Sequence, residues 1–233
     1  MSTETRVQIG ETTIEIVAQN LLQMTTPAIM LSANNNLRTS PIHWSWSQEV
    51  EKRAGSTYRE ECSWVSRSAG PTGLPQGCAA VTGAGALSTS TSLRWVIQAI
   101  TTHYDNHSNR RPATPEIVYQ AVRAGLEKAE VFRIDAVATY VMAIRKGFSS
   151  ASDDQMAEAL FRALFDHAAV ASSLKCLMVC ETDAARLATA VTAMNRVVQT
   201  RISVQPNVKA TARWSESPSS EVVEAEGRVA KND

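Results

Sequence analysis

Residues 7–18, VQIGETTIEIVA, alternate apolar and polar positions on either side of Gly10-Glu11, which predicts a β-hairpin. Residues 28–33 form a short apolar run and predict a buried strand; the run ends in Asn34, Asn35 and Asn36. Residues 47–66 read as a helix broken at Gly55, and SAGPTGLPQG after it is rich in turn formers. Strands are predicted at 78–87 and 93–101, then a polar loop at 102–113. Thr114 as N-cap and Pro115 at the first helical position start a helix over 115–129, with Val118, Val122 and Leu126 on one face. A strand at 133–144, a helix at 152–167, a strand at 173–180 and a helix at 182–199 complete the pattern. Asp153 and Asp154 are placed to cap the 152–167 helix, where its dipole favours carboxylates. Strands alternating with helices predict an α/β protein, a three-layer α/β/α sandwich with a mixed central sheet. From about 205 the chain turns polar and unpatterned, so residues 1–204 are expected to form the domain and 205–233 a disordered tail. The stretch ISVQPNVKATARW, at this junction, reads either as an edge strand or as extended tail.

Composition narrows the function classes. The 233 residues are 44% hydrophobic and 20% charged, with a formal net charge of +0. That balance gives no bulk electrostatic case for nucleic acid or an anionic membrane. No apolar run reaches the ~20 residues of a membrane helix, and MSTETRVQIGE lacks a signal-peptide pattern, so a cytoplasmic location is expected. The four cysteines, Cys62, Cys78, Cys176 and Cys180, read as structural thiols. There is no GxSxG, HExxH, P-loop or CxxC, and neither a metal nor a cofactor is implied.

Several local patterns, in this order, resemble the macro domain, a family that binds ADP-ribose. In IEIVAQNLLQMTTPAIMLSANNNL, the family's Gly-Asp-Ile-Thr turn falls on Gln19, Asn20, Leu21 and Leu22, and its Asn-Ala-Ala-Asn strand end on Leu31, Ser32, Ala33 and Asn34. EVEKRAG is similar to the family's Arg-Ala-Ala-Gly helix. QGCAAVTGAGAL and LRWVIQAIT resemble two further strands, TYVMAIRKGFSS the strand and loop that hold a diphosphate, and LKCLMVCETDAARLATAV the last strand and helix. The resemblance covers roughly residues 8–195.

The resemblance implies a site. Asn20 would accept from the adenine amino group, and Asn34 would bond the distal ribose. Trp46 and Ser47 stand where the family has a small apolar residue and an aspartate, and the glycine run before that helix is missing from RTSPIHWSWSQ. Gly147 and Phe148 would close the diphosphate loop, with Arg145 and Lys146 inside it as cations for the phosphates or as solvated loop charges. His43, Trp44 and Trp46 would stack on a base or ribose, or plug the pocket. Asn34 also reads as a turn former, as Asn35 and Asn36 do. The implied partner is ADP-ribose or a related nucleotide, bound without turnover, since Ser47 lacks the carboxylate of a general base. Two alternatives remain open. One is a hydrolase freeing ADP-ribose from an ADP-ribosylated protein, with Asn34 and Ser47 as catalytic candidates and Glu49 or His43 as substitute base. The other is a binding-dead scaffold for protein contacts.

Overall fold

Gly10 takes left-handed backbone (φ 56) and reverses the chain between β1 (Thr3–Ile9) and β2 (Thr12–Val17), which pair antiparallel as the alternation required. A 3-10 turn at Leu21–Gln23 leads to β3 (Ala28–Asn34). Then follow α1 (Trp46–Ser68), β4 (Ala79–Gly83), the short α2 (Leu87–Ser90), β5 (Trp95–Tyr104), β6 (Arg110–Arg111) and α3 (Pro115–Val131). β7 (Ala136–Thr139), α4 (Asp153–Ala168), β8 (Cys176–Cys180), α5 (Ala184–Val204) and β9 (Arg213–Trp214) complete the order. This computed structural model describes residues 3–39, 45–143, 149–170, 172–204 and 213–214.

The strands form one mixed sheet in the order β4-β5-β3-β7-β8-β2-β1-β9, with β6 paired to the far end of β5. Neighbours from β5 through β2 are parallel; β4, β1 and β9 join antiparallel at the edges. Period-2 alternation sends successive residues to opposite faces. Ala28 and Met30 of β3 face a core built with α3, α4 and α5, whereas Ile29 and Leu31 face Val50, Ala54 and Tyr58 of α1. The three-layer expectation therefore holds, with a helix layer against each face of a mixed sheet. On the α3 side the helix lies close: a Cβ on Gly125 would meet Met30 Cε at 2.7 Å.

Several boundaries differ from the sequence reading, each for a local reason. Gly55 does interrupt α1 (φ 81), yet the helix resumes and runs to Ser68. The strand expected at 133–144 is only four residues long; Arg133 is left-handed (φ 55), and past Thr139 the backbone leaves the ladder although Val141 and Met142 stay buried. The loop expected at 102–113 is partly sheet, because β5 continues to Tyr104 and folds back through β6. Ser152, with Gln155 in a capping box, caps α4, so Asp153 and Asp154 act only through their first-turn positions. The strand expected at 78–87 gives way to α2 after Gly83. β9 pairs with β1, which is the edge-strand reading of ISVQPNVKATARW.

Candidate functional site

The chain leaves β3 toward β5 by way of α1 on one face of the sheet. It comes back past β3 to β7 by way of α3 on the other. Ligand crevices in α/β sheets form at such a reversal, beyond the carboxyl ends of the strands. Here the opening is visible in the register. β3 pairs with β7 only through Ala28↔Val137 and Ile29↔Ala138, while it follows β5 as far as Asn34↔Thr102. Side chains replace the missing ladder: Thr139 Oγ1 donates to Met30 O at 3.1 Å, and Ser32 N donates to the Tyr140 hydroxyl at 3.3 Å.

The walls of this split come from α1 and β7. Ser45 caps α1, and Ser47 Oγ donates to Ser32 O at 2.9 Å, so the first turn of the helix is tied to β3. Trp46 lies 6.3 Å from Tyr140 between ring centroids, tilted at 56°. Trp46, Tyr140, Leu22 and Leu37 sit half-buried against the α1-side core. Burial pushes the Tyr140 hydroxyl up to about 12, so it stays protonated.

Three of the predicted residues have definite local partners. Asn34 Oδ1 accepts from Asn36 N at 3.1 Å and from Arg38 N at 3.2 Å, and its Nδ2 donates to Arg38 O at 2.7 Å. Asn34 thus shapes the turn after β3, where Leu37 is left-handed (φ 52). Asn20 Oδ1 accepts from Leu22 N at 2.9 Å and caps the 3-10 turn; a carbonyl oxygen has a second lone pair for a ligand. Beside it, Gln19 Oε1 is buried with no hydrogen-bond partner among the described residues. The Ser47 hydroxyl is held by Ser32. Of the acids on α1, Glu49 is paired with Arg53, and Glu51 accepts from Thr39. Arg145, Lys146, Gly147 and Phe148 lie outside the described residues, as do His43 and Trp44.

Sequence reasoning missed two residues here. Asn35 was read as a turn former, yet it is 1% exposed and joins three segments. Its Nδ2 donates to Thr72 O and Tyr104 O, and its Oδ1 accepts from Tyr104 N at 2.9 Å. Glu181, at the end of β8, was passed over. It is 5% exposed, and its carboxylate accepts from Val141 N at 3.0 Å, at the entrance of the loop after β7. The signal was a lone acid directly following an apolar strand. A second polar cluster, of Glu130 with His167, Ser172 and Ser173, lies where α3 and α4 end, away from the crevice. Both serine hydroxyls donate to the Glu130 carboxylate rather than to the imidazole, so no hydroxyl is activated there.

A family model described as Macro domain matches residues 32–159, more than half of the chain. The chain belongs to the macro domain family. Among solved structures, it is similar to the Oceanobacillus iheyensis macrodomain with ADP, at 14% identity and a TM-score of 0.70, covering 86% of this chain and 100% of that one. A variant of that macrodomain with ADPR gives a TM-score of 0.69 at 14% identity over 84% of this chain and 99% of that one. The Trypanosoma brucei macrodomain in complex with ADP gives 0.61 at 12% identity over 78% and 69%. At these identities the likeness is one of fold. None of the curated proteins compared with the chain matches it.

Proposed function

We propose that the protein binds ADP-ribose or a related nucleotide in the crevice between β3 and β7 and does not turn it over. The observation that carries this reading is the split of the two strands, bridged by Tyr140 and Thr139 with Trp46 beside Tyr140, in a chain of the macro domain family. Structural relatives described with ADP and ADPR support the choice of ligand. The adenine lies toward Asn20 and the buried, unpartnered acceptor of Gln19. The distal ribose lies toward Asn34, which keeps one Nδ2 hydrogen beyond its bond to Arg38. The resemblance assigns Arg145, Lys146 and Gly147 to the diphosphate and Phe148 to the distal ribose; all four lie outside the described residues.

The residues at the start of α1 support the absence of turnover. Hydrolysis needs a general base within reach of the attacking water. Ser47 is no carboxylate and donates its hydroxyl to Ser32, while Glu49 is held by Arg53. The site is assigned to residues 1–204, with 205–233 outside it.

Isothermal titration calorimetry with ADP-ribose, and with AMP for comparison, tests the reading. Micromolar binding of ADP-ribose and much weaker binding of AMP are expected, with loss of binding in Asn34→Ala while the fold is kept. No heat with either ligand overturns it. Release of ADP-ribose from a modified protein above a no-enzyme control would refute the absence of turnover.

A further inference from the structure

The carboxyl edge of the sheet also carries cations that the nucleotide contacts leave unused. β3 ends at Asn34, opposite Thr102, while β5 continues to Tyr104 and returns as β6. Asn35 takes both backbone groups of Tyr104, the N–H at 2.9 Å and the C=O at 3.0 Å, so β6 pairs with β5 on the side away from β3. Gln76 Nε2 donates to Thr101 O at 2.9 Å and to Arg111 O at 3.2 Å, which pins β6 to the sheet. Asp105 closes the tip of this ribbon: its carboxylate accepts from His107 N, Asn109 N and Asn109 Nδ2. The ribbon is thus a fixed shelf beside the turn that follows β3.

Its charge is one-sided. Arg110 and Arg111 are exposed and, as successive strand residues, point to opposite faces of the ribbon. Arg38, also exposed, stands on the turn after β3, where the Asn34 side chain holds its backbone N and O. Neither Arg38 nor Arg111 enters an ion pair among the described residues. The acids nearby are engaged: Asp105 in its own turn, Glu116 with Gln120 and Glu51 with Thr39. On a chain of net charge +0 this edge is a local cationic patch. Neighbouring strands lie about 4.8 Å apart, so β6 is about 10 Å from β3, the reach of about three extended residues.

We propose that this shelf receives an acidic protein segment bearing the ADP-ribosyl group, with Arg38, Arg110 and Arg111 pairing carboxylates within a few residues of the modified side chain. This rests on the crevice being the nucleotide site with its distal ribose toward Asn34. A chain attached to that ribose meets the turn of Arg38 first, and the end of β5 leads it on to the ribbon. Three guanidinium groups over such a short span suit a few carboxylates. A nucleic acid draws its affinity from a longer track, on the order of 6–10 phosphate contacts, and the balanced charge of the chain argues against one. Each exposed ion pair is weak, so the shelf adds selectivity to a site whose affinity comes from the nucleotide.

Fluorescence anisotropy with two synthetic peptides tests this. Each carries one ADP-ribosyl group on a central serine; one has glutamates at the third and fourth positions on either side, the other glutamines. In low salt the acidic peptide is expected to bind roughly five-fold tighter than the glutamine peptide, and the difference should vanish in high salt as screening sets in. The triple variant Arg38→Gln, Arg110→Gln, Arg111→Gln should bind both peptides alike, and free ADP-ribose as the unmodified protein does, which also shows that it is folded. Equal binding of the two peptides by an unmodified protein that binds ADP-ribose overturns this inference and leaves the nucleotide reading intact. Persistence of the preference in the triple variant overturns it, as does loss of free ADP-ribose binding there, which would put the arginines in the nucleotide site. Tighter binding of single-stranded oligouridylate than of the acidic peptide overturns the choice of a protein partner. No binding of ADP-ribose or of either peptide removes the nucleotide reading, and this inference with it.

Discussion

Asn35→Ala isolates what the asparagine run does for the fold. The side chain makes three hydrogen bonds, to Thr72 O, Tyr104 O and Tyr104 N, in a position 1% exposed. Its backbone is engaged as well: Asn35 N donates to Thr102 O, and Asn35 O accepts from Leu74 N. Truncation leaves those backbone bonds in place but strands one N–H and two carbonyl groups. At about 1 kcal/mol for each bond, the loss is about 3 kcal/mol. For a domain of this length that corresponds to a fall in Tm of roughly 6–12 °C. Asn34→Ala is the control. It also removes three bonds, but two are exposed and one is only part-buried, so water replaces the partners and the expected cost is under about 1 kcal/mol. Urea unfolding followed by circular dichroism measures both. A loss below about 1 kcal/mol for Asn35→Ala, or equal losses for the two variants, would refute the claim that Asn35 clamps these segments.

Other outcomes follow from the same reasoning. Gly73 is left-handed (φ 68), and a Cβ there would lie 2.3 Å from Asn35 O, so Gly73→Ala should cost at least about 2 kcal/mol in the same unfolding experiment. Tyr140→Phe strips Ser32 N of its partner and should cost about 1–2 kcal/mol while weakening ADP-ribose binding in calorimetry. Glu181 binds its proton more tightly in the folded state, from 4.5 to about 7, so stability should decline as pH rises through that window. Glu181→Gln should remove this decline, an effect on the order of 3 kcal/mol at most, read from unfolding at several pH values. Glu130 behaves oppositely. Burial raises its carboxyl, but the bonds from Ser172, Ser173 and His167 outweigh that and hold it at about 2, so its contribution is present above 4.5 and lost as pH falls toward 2. Glu130→Gln should flatten that acid limb.

How much of this was legible in the sequence depended on whether the cause was local. The Gly10 hairpin, the Gly55 break and the Thr114-Pro115 helix start come from backbone preferences of a few residues, and they appear where the sequence placed them. The resemblance to the macro domain gave the sheet and the crevice, since the order of elements carries topology even at low identity. Tertiary partners were not legible. Nothing in ATYVMAI marks the point where β7 leaves β3, because that depends on Tyr140 reaching Ser32, 108 residues away. Asn35 looked identical to its neighbours, and only the approach of Tyr104 and Thr72 distinguishes it. Glu181 reads as a surface acid after a strand until Val141 and Val17 close around it.

The most direct measurement is a crystal structure of the protein with ADP-ribose. The account predicts one nucleotide in the opening between the carboxyl ends of β3 and β7, against Trp46 and Tyr140, with its adenine toward Asn20 and Gln19. A nucleotide bound elsewhere on the sheet, or an opening that stays empty while ligand binds in solution, would contradict it.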